Sequence, residues 1–274
     1  MRARRTLLFA PGNRTEVHAK ALAAGADTVC LDLEDAVPLE LKAAARAAAL
    51  PFLVETDGPE RVVRINSARS AEGLRDLLAI IEARPSGGVV FLPKVATADE
   101  VRLVDGLLTE AGLDLGLAVL IESVEGLENV VAILKASRRI RFAMFGGADL
   151  AAELGVAVAH EPLLYARSRV VHAARLAEVD VFDVPCLAFR DAEIVKAEAE
   201  TARALGFTGK GALHPANVAV VNAAFTPSDA EIAAAERILA AYHASPNGLA
   251  VVDGKLVEKP VIRAMEQILA RSSA

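Results

Sequence analysis

Tryptophan is absent from this chain of 274 residues, and aromatic residues together make up only 4% of it. Hydrophobic residues nevertheless reach 54%, so the core must be built mainly from leucine, valine, isoleucine and alanine. Branched aliphatic residues dominate the interior of parallel sheets that are covered on both faces. The composition therefore favours an α/β protein, and the length fits one or two domains.

Other features are missing as well. The only two cysteines, Cys30 and Cys186, stand in apolar runs and are predicted to be buried thiols of a reducing compartment. The apolar run after the basic N-terminus stops at Pro11-Gly12, too early for a signal peptide, and no stretch reaches the length of a membrane span. We therefore expect a soluble, cytoplasmic protein.

The charge balance excludes further classes of function. A formal net charge of −6 argues against a nucleic-acid or anionic-membrane partner, although it leaves room for one small basic pocket. The sequence also contains no phosphate-binding P-loop and no dinucleotide fingerprint. A small-molecule enzyme is the class that remains.

Short apolar runs alternate with helical patterns along the whole chain. The strand candidates are Thr6–Ala10, Thr28–Leu33, Arg61–Ile65, Gly88–Leu92, Leu115–Ile121, Ile140–Phe145, Val179–Val184 and Gly209–Leu213. Helical spacing relates Leu74, Leu77, Leu78 and Ile81, and likewise Leu127, Val130, Val131 and Leu134, while Thr97/Glu100 and Ser228/Glu231 have capping-box spacing. Eight strands, each followed by a helix, predict a (β/α)₈ TIM barrel over residues 1–245.

The last segment, residues 246–274, has a different pattern. A turn signal at Ser245–Gly248 precedes two short runs on either side of Asp253-Gly254, which predict a hairpin. A final helix would place Val261, Met265 and Ile268 on one face. We interpret this extension as a lid, a docking arm or a subunit contact, with an apolar face that needs cover.

Polar residues close every predicted strand. They are Pro11-Gly12-Asn13-Arg14, then Asp32, Glu34 and Asp35, then Arg64 and Asn66, then Lys94, Glu122-Ser123, Gly146-Gly147-Ala148-Asp149, Asp183 and His214. Active sites of TIM barrels lie at this C-terminal face. So many titratable groups close together must balance one another or hold an ion.

A divalent metal answers the excess of carboxylates at this face. Mg²⁺ commonly uses one or two protein carboxylates and completes its octahedron with water and substrate oxygens. Glu122 and Asp149 close neighbouring strands, so both can reach one ion; a lone His214 without nearby cysteine argues against zinc. A Schiff-base role for Lys94 is a weaker alternative, and Ser123 lacks an obvious base.

Eight motifs in order resemble the citrate lyase β-subunit and malyl-CoA lyase group of the HpcH/HpaI aldolase superfamily. They are LLFAPGNR (7–14), LDLEDAV (31–37), VRIN (63–66), LPKV (92–95), IES..GLEN (121–129), FGGADLA..LG (145–155), LGF.GK..LHP (205–215) and DGKLVEKPV (253–261). The resemblance covers nearly the whole chain. It implies a TIM barrel, a homotrimer or hexamer, and Mg²⁺-dependent carbon–carbon chemistry on an acyl thioester.

The resemblance also implies roles for individual residues. Glu122 and Asp149 match the metal ligands, and Arg64 matches the arginine that binds the substrate carboxylate. The positions matching the thioester pocket are Phe9, Arg14, Lys20, Ala148, Ala212 and Leu213. Asp32, Glu34, Asp35 and Lys94 are expected to orient Arg64 or metal-bound water.

Two positions depart from the group. Glu258 stands where many relatives carry an aspartate that acts as acid/base from a neighbouring subunit, and Asn217 replaces a glutamine. Glu258 is either that acid/base or a solvated hairpin charge.

The resemblance predicts a lyase that cleaves or forms a 3-hydroxyacyl thioester of the citryl-, malyl- or citramalyl-CoA type, giving an acetyl thioester and a keto acid. Mg²⁺ is the expected ion, with Mn²⁺ as a substitute. The alternatives are a malyl-CoA-type thioesterase, an aldolase that uses pyruvate enolate, a citrate lyase subunit that receives its substrate on an acyl carrier protein, and an inactive binding protein.

Overall fold

The computed structural model of the protein describes residues 3–245 and 250–272. These residues form two compact units. The larger comprises Arg4–Asn222, and the smaller combines Ala3 with the chain from Ala223 onward. Each unit has its own secondary structure and is described in turn.

The larger unit is a closed parallel barrel of eight strands in sequential order. The strands are β1 (Thr6–Pro11), β2 (Thr28–Asp32), β3 (Glu60–Arg64), β4 (Val89–Leu92), β5 (Gly116–Ile121), β6 (Ile140–Phe145), β7 (Asp180–Asp183) and β8 (Gly209–Ala212). Pairing of β1 with both β2 and β8 closes the barrel. The TIM-barrel prediction is confirmed, and each predicted strand end lies within one residue of the observed one.

Three phenylalanines pack together in the interior of the barrel. Phe91, Phe142 and Phe182 are fully buried, and their rings pack edge to face with centroids 5.6 Å and 5.1 Å apart. Around them lie aliphatic residues such as Leu7 and Val62. The interior is thus filled by side chains, so a ligand would bind at the mouth of the barrel and not inside it.

Helices surround the barrel. They are α1 (Thr15–Leu22), α2 (Lys42–Ala49), α3 (Ala71–Ala83), α4 (Ala98–Glu110), α5 (Val124–Glu128), α6 (Val130–Leu134), α7 (Gly147–Leu154), α8 (His160–Ala177), α9 (Ala192–Leu205) and α10 (Val218–Phe225), which crosses the boundary between the units. The capping box of Thr97 and Glu100 at the start of α4 is present as predicted.

Helix α3 forms where the pattern predicts it, but its buried face is different. Leu77 is buried, whereas Leu74 and Leu78 are 48% and 59% exposed. The inward side instead carries Ile80 and the carboxylate of Asp76, which is 1% exposed. Asp76 can face inward because its carboxylate has buried polar partners. The spacing of apolar residues cannot indicate such a position, so it does not identify the buried face of this helix correctly.

The smaller unit contains α11 (Asp229–His243), the antiparallel pair β9 (Ala250–Val252) and β10 (Lys255–Val257), and α12 (Lys259–Ser272). The predicted hairpin is confirmed: Asp253 and Gly254 both have positive φ, +50° and +74°, as a type I′ turn requires. The capping box of Ser228 and Glu231 is also present. Residues 246–249, which hold most of the predicted turn, lie outside the described residues.

Helices α11 and α12 pack against each other, and Val257 and Ile262 are buried within this chain. These two side chains therefore do not need a second subunit for cover. The predicted domain boundary after Ser245 falls inside the smaller unit, because α11 is grouped with the extension rather than with the barrel.

Both cysteines are buried free thiols, as predicted. Among the residues that the structure describes, no helix combines the length and apolar character needed to cross a membrane.

Candidate active site

A cavity of about 480 Å³ opens at the mouth of the barrel. Eight of the predicted site residues line it, namely Phe9, Asp32, Asp35, Arg64, Glu122, Ala148, Asp149 and Leu213. The carboxyl ends of several strands thus bring carboxylates and an arginine from distant parts of the sequence to one place.

Glu122 follows β5 and is 4% exposed. Its Oε1 accepts a hydrogen bond of 2.7 Å from the backbone N–H of Lys94. Burial, hydrogen bonding to Asp149 and repulsion from the Glu34 and Asp149 carboxylates together raise the pKa of Glu122 to about 9, although the hydrogen bond from the Lys94 backbone opposes the shift. Without a cation, the two neighbouring carboxylates therefore favour retaining a proton.

Asp149 lies in the first turn of α7, two residues after the Gly146-Gly147 pair. A Cβ atom on Gly146 would lie 2.3 Å from the Cβ of Glu122, so only glycine lets the backbone pass this close. Asp149 therefore comes close to Glu122 for two reasons, the order of the strands and the glycine at position 146.

The carboxylate pair fits a hard divalent cation. The nearby cations Arg64 and Lys94 form their ion pairs with Asp32 and Glu34, and a bound Mg²⁺ would replace the retained proton. Within residues 3–245 and 250–272, no group of three or more His, Cys, Asp or Glu side chains is arranged to hold a metal. A site with two protein ligands is the kind that Mg²⁺ accepts.

Arg64, at the end of β3, is fixed on three sides. Its Nε and Nη2 donate to the two carboxylate oxygens of Asp32 at 2.8 Å and 2.7 Å. Its Nη1 lies 3.1 Å from Glu34 Oε2, and its Cζ lies 5.4 Å from the centre of the Phe9 ring. Burial opposes the charge, but the hydrogen bonds to Asp32 and the attraction of the nearby carboxylates outweigh it and raise the pKa of Arg64.

Lys94 has a left-handed backbone, with φ of +54°, and its Nζ lies 2.7 Å from Glu34 Oε1. This hydrogen bond raises the pKa of Lys94, despite the opposing effect of burial. A Schiff-base lysine needs a neutral amine and hence a lowered pKa. The geometry therefore opposes that alternative and assigns Lys94 to holding Glu34.

The sequence profile of the HpcH/HpaI aldolase/citrate lyase family matches residues 5–215. The chain belongs to this family. A citrate lyase subunit beta-like protein of Deinococcus radiodurans is 35% identical over 98% of this chain and 97% of its own length. A (3S)-malyl-CoA thioesterase of Cereibacter sphaeroides is 35% identical over 98% and 95%.

A solved structure of this family shows the same architecture. CitE of Mycobacterium tuberculosis, in complex with magnesium, acetoacetate and coenzyme A, superposes with a TM-score of 0.85 at 33% identity, over 99% of both chains. The resemblance stated from the motifs is confirmed at the level of family and fold.

Several residues predicted for this aldolase-family site lie outside the cavity lining. Arg14 is exposed and pairs with Glu16 at 2.9 Å, and Lys20 is exposed on α1. Ala212 is buried at the end of β8. Glu258 is exposed in the smaller unit, immediately before α12. Their roles toward a thioester or a proton stay predictions.

Two strand-end residues do not face this cavity. Asp183 is buried and pairs with Arg167 and Lys210 at 2.9 Å and 3.0 Å. His214 uses its Nδ1 to accept a hydrogen bond from the N–H of Ala216. The sequence predicts a polar ring that includes both residues, but each of them is engaged in contacts away from the cavity.

The sequence reasoning missed the apolar wall of the cavity. Met144, Val184 and Pro185 line it, and each stands at or just after the end of β6 or β7. The strand prediction places them near the barrel mouth, but they are apolar, and a criterion that requires polar residues at strand ends does not select them.

Proposed function

We propose that this chain is a Mg²⁺-dependent carbon–carbon lyase that cleaves or forms a 3-hydroxyacyl thioester of the citryl-, malyl- or citramalyl-CoA type. The products of cleavage are an acetyl thioester and a 2-oxo acid. The observation that carries the proposal is one cavity that combines the Glu122–Asp149 pair with an arginine already fixed by Asp32. The names of the relatives support the thioester class.

Arg64 can bind the carboxylate of the oxo-acid fragment. A guanidinium has five N–H donors; Nε and Nη2 of Arg64 each donate one to Asp32, and Nη1 forms an ion pair with Glu34 Oε2 at 3.1 Å. One N–H on each terminal nitrogen remains, which suits a bidentate contact with a carboxylate. The buried partners hold Arg64 in place before substrate arrives, so little ordering is needed on binding.

Glu122 and Asp149 would hold the metal, which supplies Lewis-acid polarisation of the fragment's oxygen atoms. In cleavage a base accepts the hydroxyl proton, the oxygen becomes the carbonyl, and the electrons of the broken carbon–carbon bond pass to the thioester enolate. The protonated base then returns a proton to the enolate carbon. We assign both proton transfers to the carboxylate of Glu258 from a neighbouring subunit, as the motif resemblance implies.

A malyl-type thioesterase is the second candidate, because a relative of equal similarity is named as one. In that reaction the same groups would bind the acid end while water attacks the thioester. We also propose that the protein assembles as a homotrimer or a hexamer. An acyl carrier protein, in place of coenzyme A, is an alternative carrier of the thioester.

Purified protein with Mg²⁺ is expected to release a 2-oxo acid and acetyl-CoA in equal amounts from at least one of citryl-, malyl- and citramalyl-CoA. Both products are followed in the same assay. Free hydroxy acid with coenzyme A, and no acetyl-CoA, would establish the thioesterase instead. Turnover only when the acyl group is carried on a carrier protein would identify a citrate lyase subunit.

Glu258→Gln is expected to lower kcat by about a hundredfold, the usual size of a general acid/base contribution, with a smaller change in KM. The amide keeps the shape of the side chain and removes its proton. Glu266→Gln, another exposed carboxylate of the same unit on α12, is the control and should leave kcat unchanged. Wild-type turnover of Glu258→Gln would shift the search to Asp35, which is exposed and lines the cavity.

A further inference from the structure

Lys42, the first residue of α2, does not line the cavity, yet its ammonium group contacts both loops that carry Arg64 and its partners. Its Nζ donates to the carbonyl oxygens of Leu33 and Glu34 at 2.9 Å and 2.8 Å. The third hydrogen bond, of 2.6 Å, goes to Oδ1 of Asn66, two residues after Arg64. The ammonium has three donors, and all three are used.

The acceptors on both sides are themselves fixed. Asn66 is 5% exposed, and its backbone N–H and Nδ2 both donate to Oδ2 of Asp76, at 2.8 Å and 2.7 Å. Asp76 accepts a further hydrogen bond of 2.5 Å from Nε of Arg46, one turn after Lys42 on the same helix. The loop after β3 is therefore tied to α2 and α3 through polar groups that are nearly all buried.

The loop after β2 has a comparable internal frame. Asp32 accepts hydrogen bonds from the backbone N–H groups of Glu34 and Ala36, at 2.9 Å and 3.1 Å, while it also holds Arg64. Lys42 connects this frame to Asn66. Its ammonium group thereby joins the backbone of the β2 loop to the buried side chains behind the β3 loop.

We propose that Lys42 is a positioning residue: it fixes the loop after β2 against the loop after β3, so that Asp32 and Glu34 hold Arg64 where it meets the acid end of the substrate. The assignment of the substrate end rests on the proposed function. The mechanical part does not, because it concerns only the relative placement of two loops. Lys42 acts through Glu34 and Arg64 and does not contact the reacting atoms.

Lys42→Met tests the proposal, because methionine has a similar length and no donor. Hydrogen exchange in residues 32–38 and 64–68 should become faster. In condensation assays with acetyl-CoA, KM for pyruvate or glyoxylate should rise about tenfold or more, as small misplacements of binding groups produce. The apparent constants for Mg²⁺ and acetyl-CoA should stay within about twofold. Lys42→Arg, a milder change in case Lys42→Met folds poorly, should show the same pattern, because a planar fork cannot reach three converging acceptors.

Arg139→Met is the matched control. Arg139 is also a half-buried cation that donates to two backbone carbonyls, those of Leu113 and Leu115, and to Asp105. It does so at the opposite end of the barrel, before β5 and β6. Its loss should lower Tm without changing KM for the oxo acid.

The outcomes separate the two proposals. If the wild-type protein turns over no thioester, the proposed function fails. Hydrogen exchange in residues 32–38 of Lys42→Met still tests whether Lys42 positions the loop. Unchanged exchange in Lys42→Met would overturn the positioning role. A loosened loop with an unaltered KM for the oxo acid, or an equal rise of KM in Arg139→Met, would overturn it as well.

Discussion

Arg64→Ala is expected to abolish measurable binding of the 2-oxo acid, because it removes the arginine that faces the cavity. The motif resemblance assigns Arg64 to substrate binding, from which a Tm near that of the wild type would be expected for Arg64→Ala. The structure corrects the expectation for stability. Asp32 and Glu34 are 3% and 6% exposed, and deleting the partner of a buried carboxylate costs about 3–5 kcal/mol. The alanine variant should therefore also have a clearly lower Tm.

Arg64→Lys separates the two effects. Lysine restores a positive charge beside Asp32 and so should recover part of the lost stability. It cannot supply the planar fork, so the dissociation constant for the oxo acid should remain roughly tenfold to a hundredfold higher, the equivalent of one lost charge-assisted hydrogen bond. Calorimetric titration with pyruvate and Mg²⁺, together with thermal melts, measures both quantities.

Arg167→Lys provides a control of the same chemistry. Arg167 forms a buried two-point pair with Asp183 at 3.2 Å and 2.9 Å, and neither residue lines the cavity around Arg64. This variant should lose stability and keep its affinity for the oxo acid. Wild-type affinity in Arg64→Lys would contradict the assigned role of Arg64.

The comparison of Asp32 with Asp183 shows what the sequence can and cannot reveal. Both aspartates close a short apolar strand, so the pattern treats them alike. Asp32 meets Arg64 at the cavity, whereas Asp183 is enclosed by Arg167 and Lys210. Those partners come from a helix and from the next strand, and only the folded chain brings them to one of the two carboxylates.

The strands were predictable because each is a short apolar run buried on both faces, and closure of the barrel then fixes which strand ends meet. Glu122, Asp149 and Arg64 could therefore be selected before the structure was known. Lys42 could not, because two of its three acceptors are backbone carbonyls. Such acceptors are present at every residue and leave no mark in the sequence.

The apparent affinity for Mg²⁺ is expected to increase steeply with pH. Burial and the neighbouring carboxylates raise the pKa of Glu122 to about 9 in the metal-free protein, so Mg²⁺ must displace a proton to bind. A metal that displaces one proton gains about tenfold in apparent affinity per pH unit below that pKa. Titrations between about pH 6 and about pH 8 cover a range in which free glutamate is already ionised.

The stability of the metal-free protein should follow the opposite course. Since the folded pKa lies above the unfolded value, the folded state binds the extra proton, and this contribution is complete below the unfolded pKa and lost as pH rises toward about 9. Mg²⁺ should therefore raise Tm more at high pH than at low pH. Glu122→Gln should remove the Mg²⁺ response and flatten the pH dependence of the metal-free Tm.

Glu34→Gln is the control for this prediction. Glu34 is also a buried carboxylate of the same mouth, and burial raises its pKa too, but its contacts are Arg64 and Lys94. Because it is not assigned to the metal, Glu34→Gln should keep the Mg²⁺-dependent rise in Tm. If Glu34→Gln lost the Mg²⁺-dependent rise in Tm and Glu122→Gln retained it, the ion would bind to Glu34 and not to Glu122, and our assignment would be wrong. An Mg²⁺ affinity that does not change with pH would show that the ion binds without displacing the proton of the Glu122–Asp149 pair.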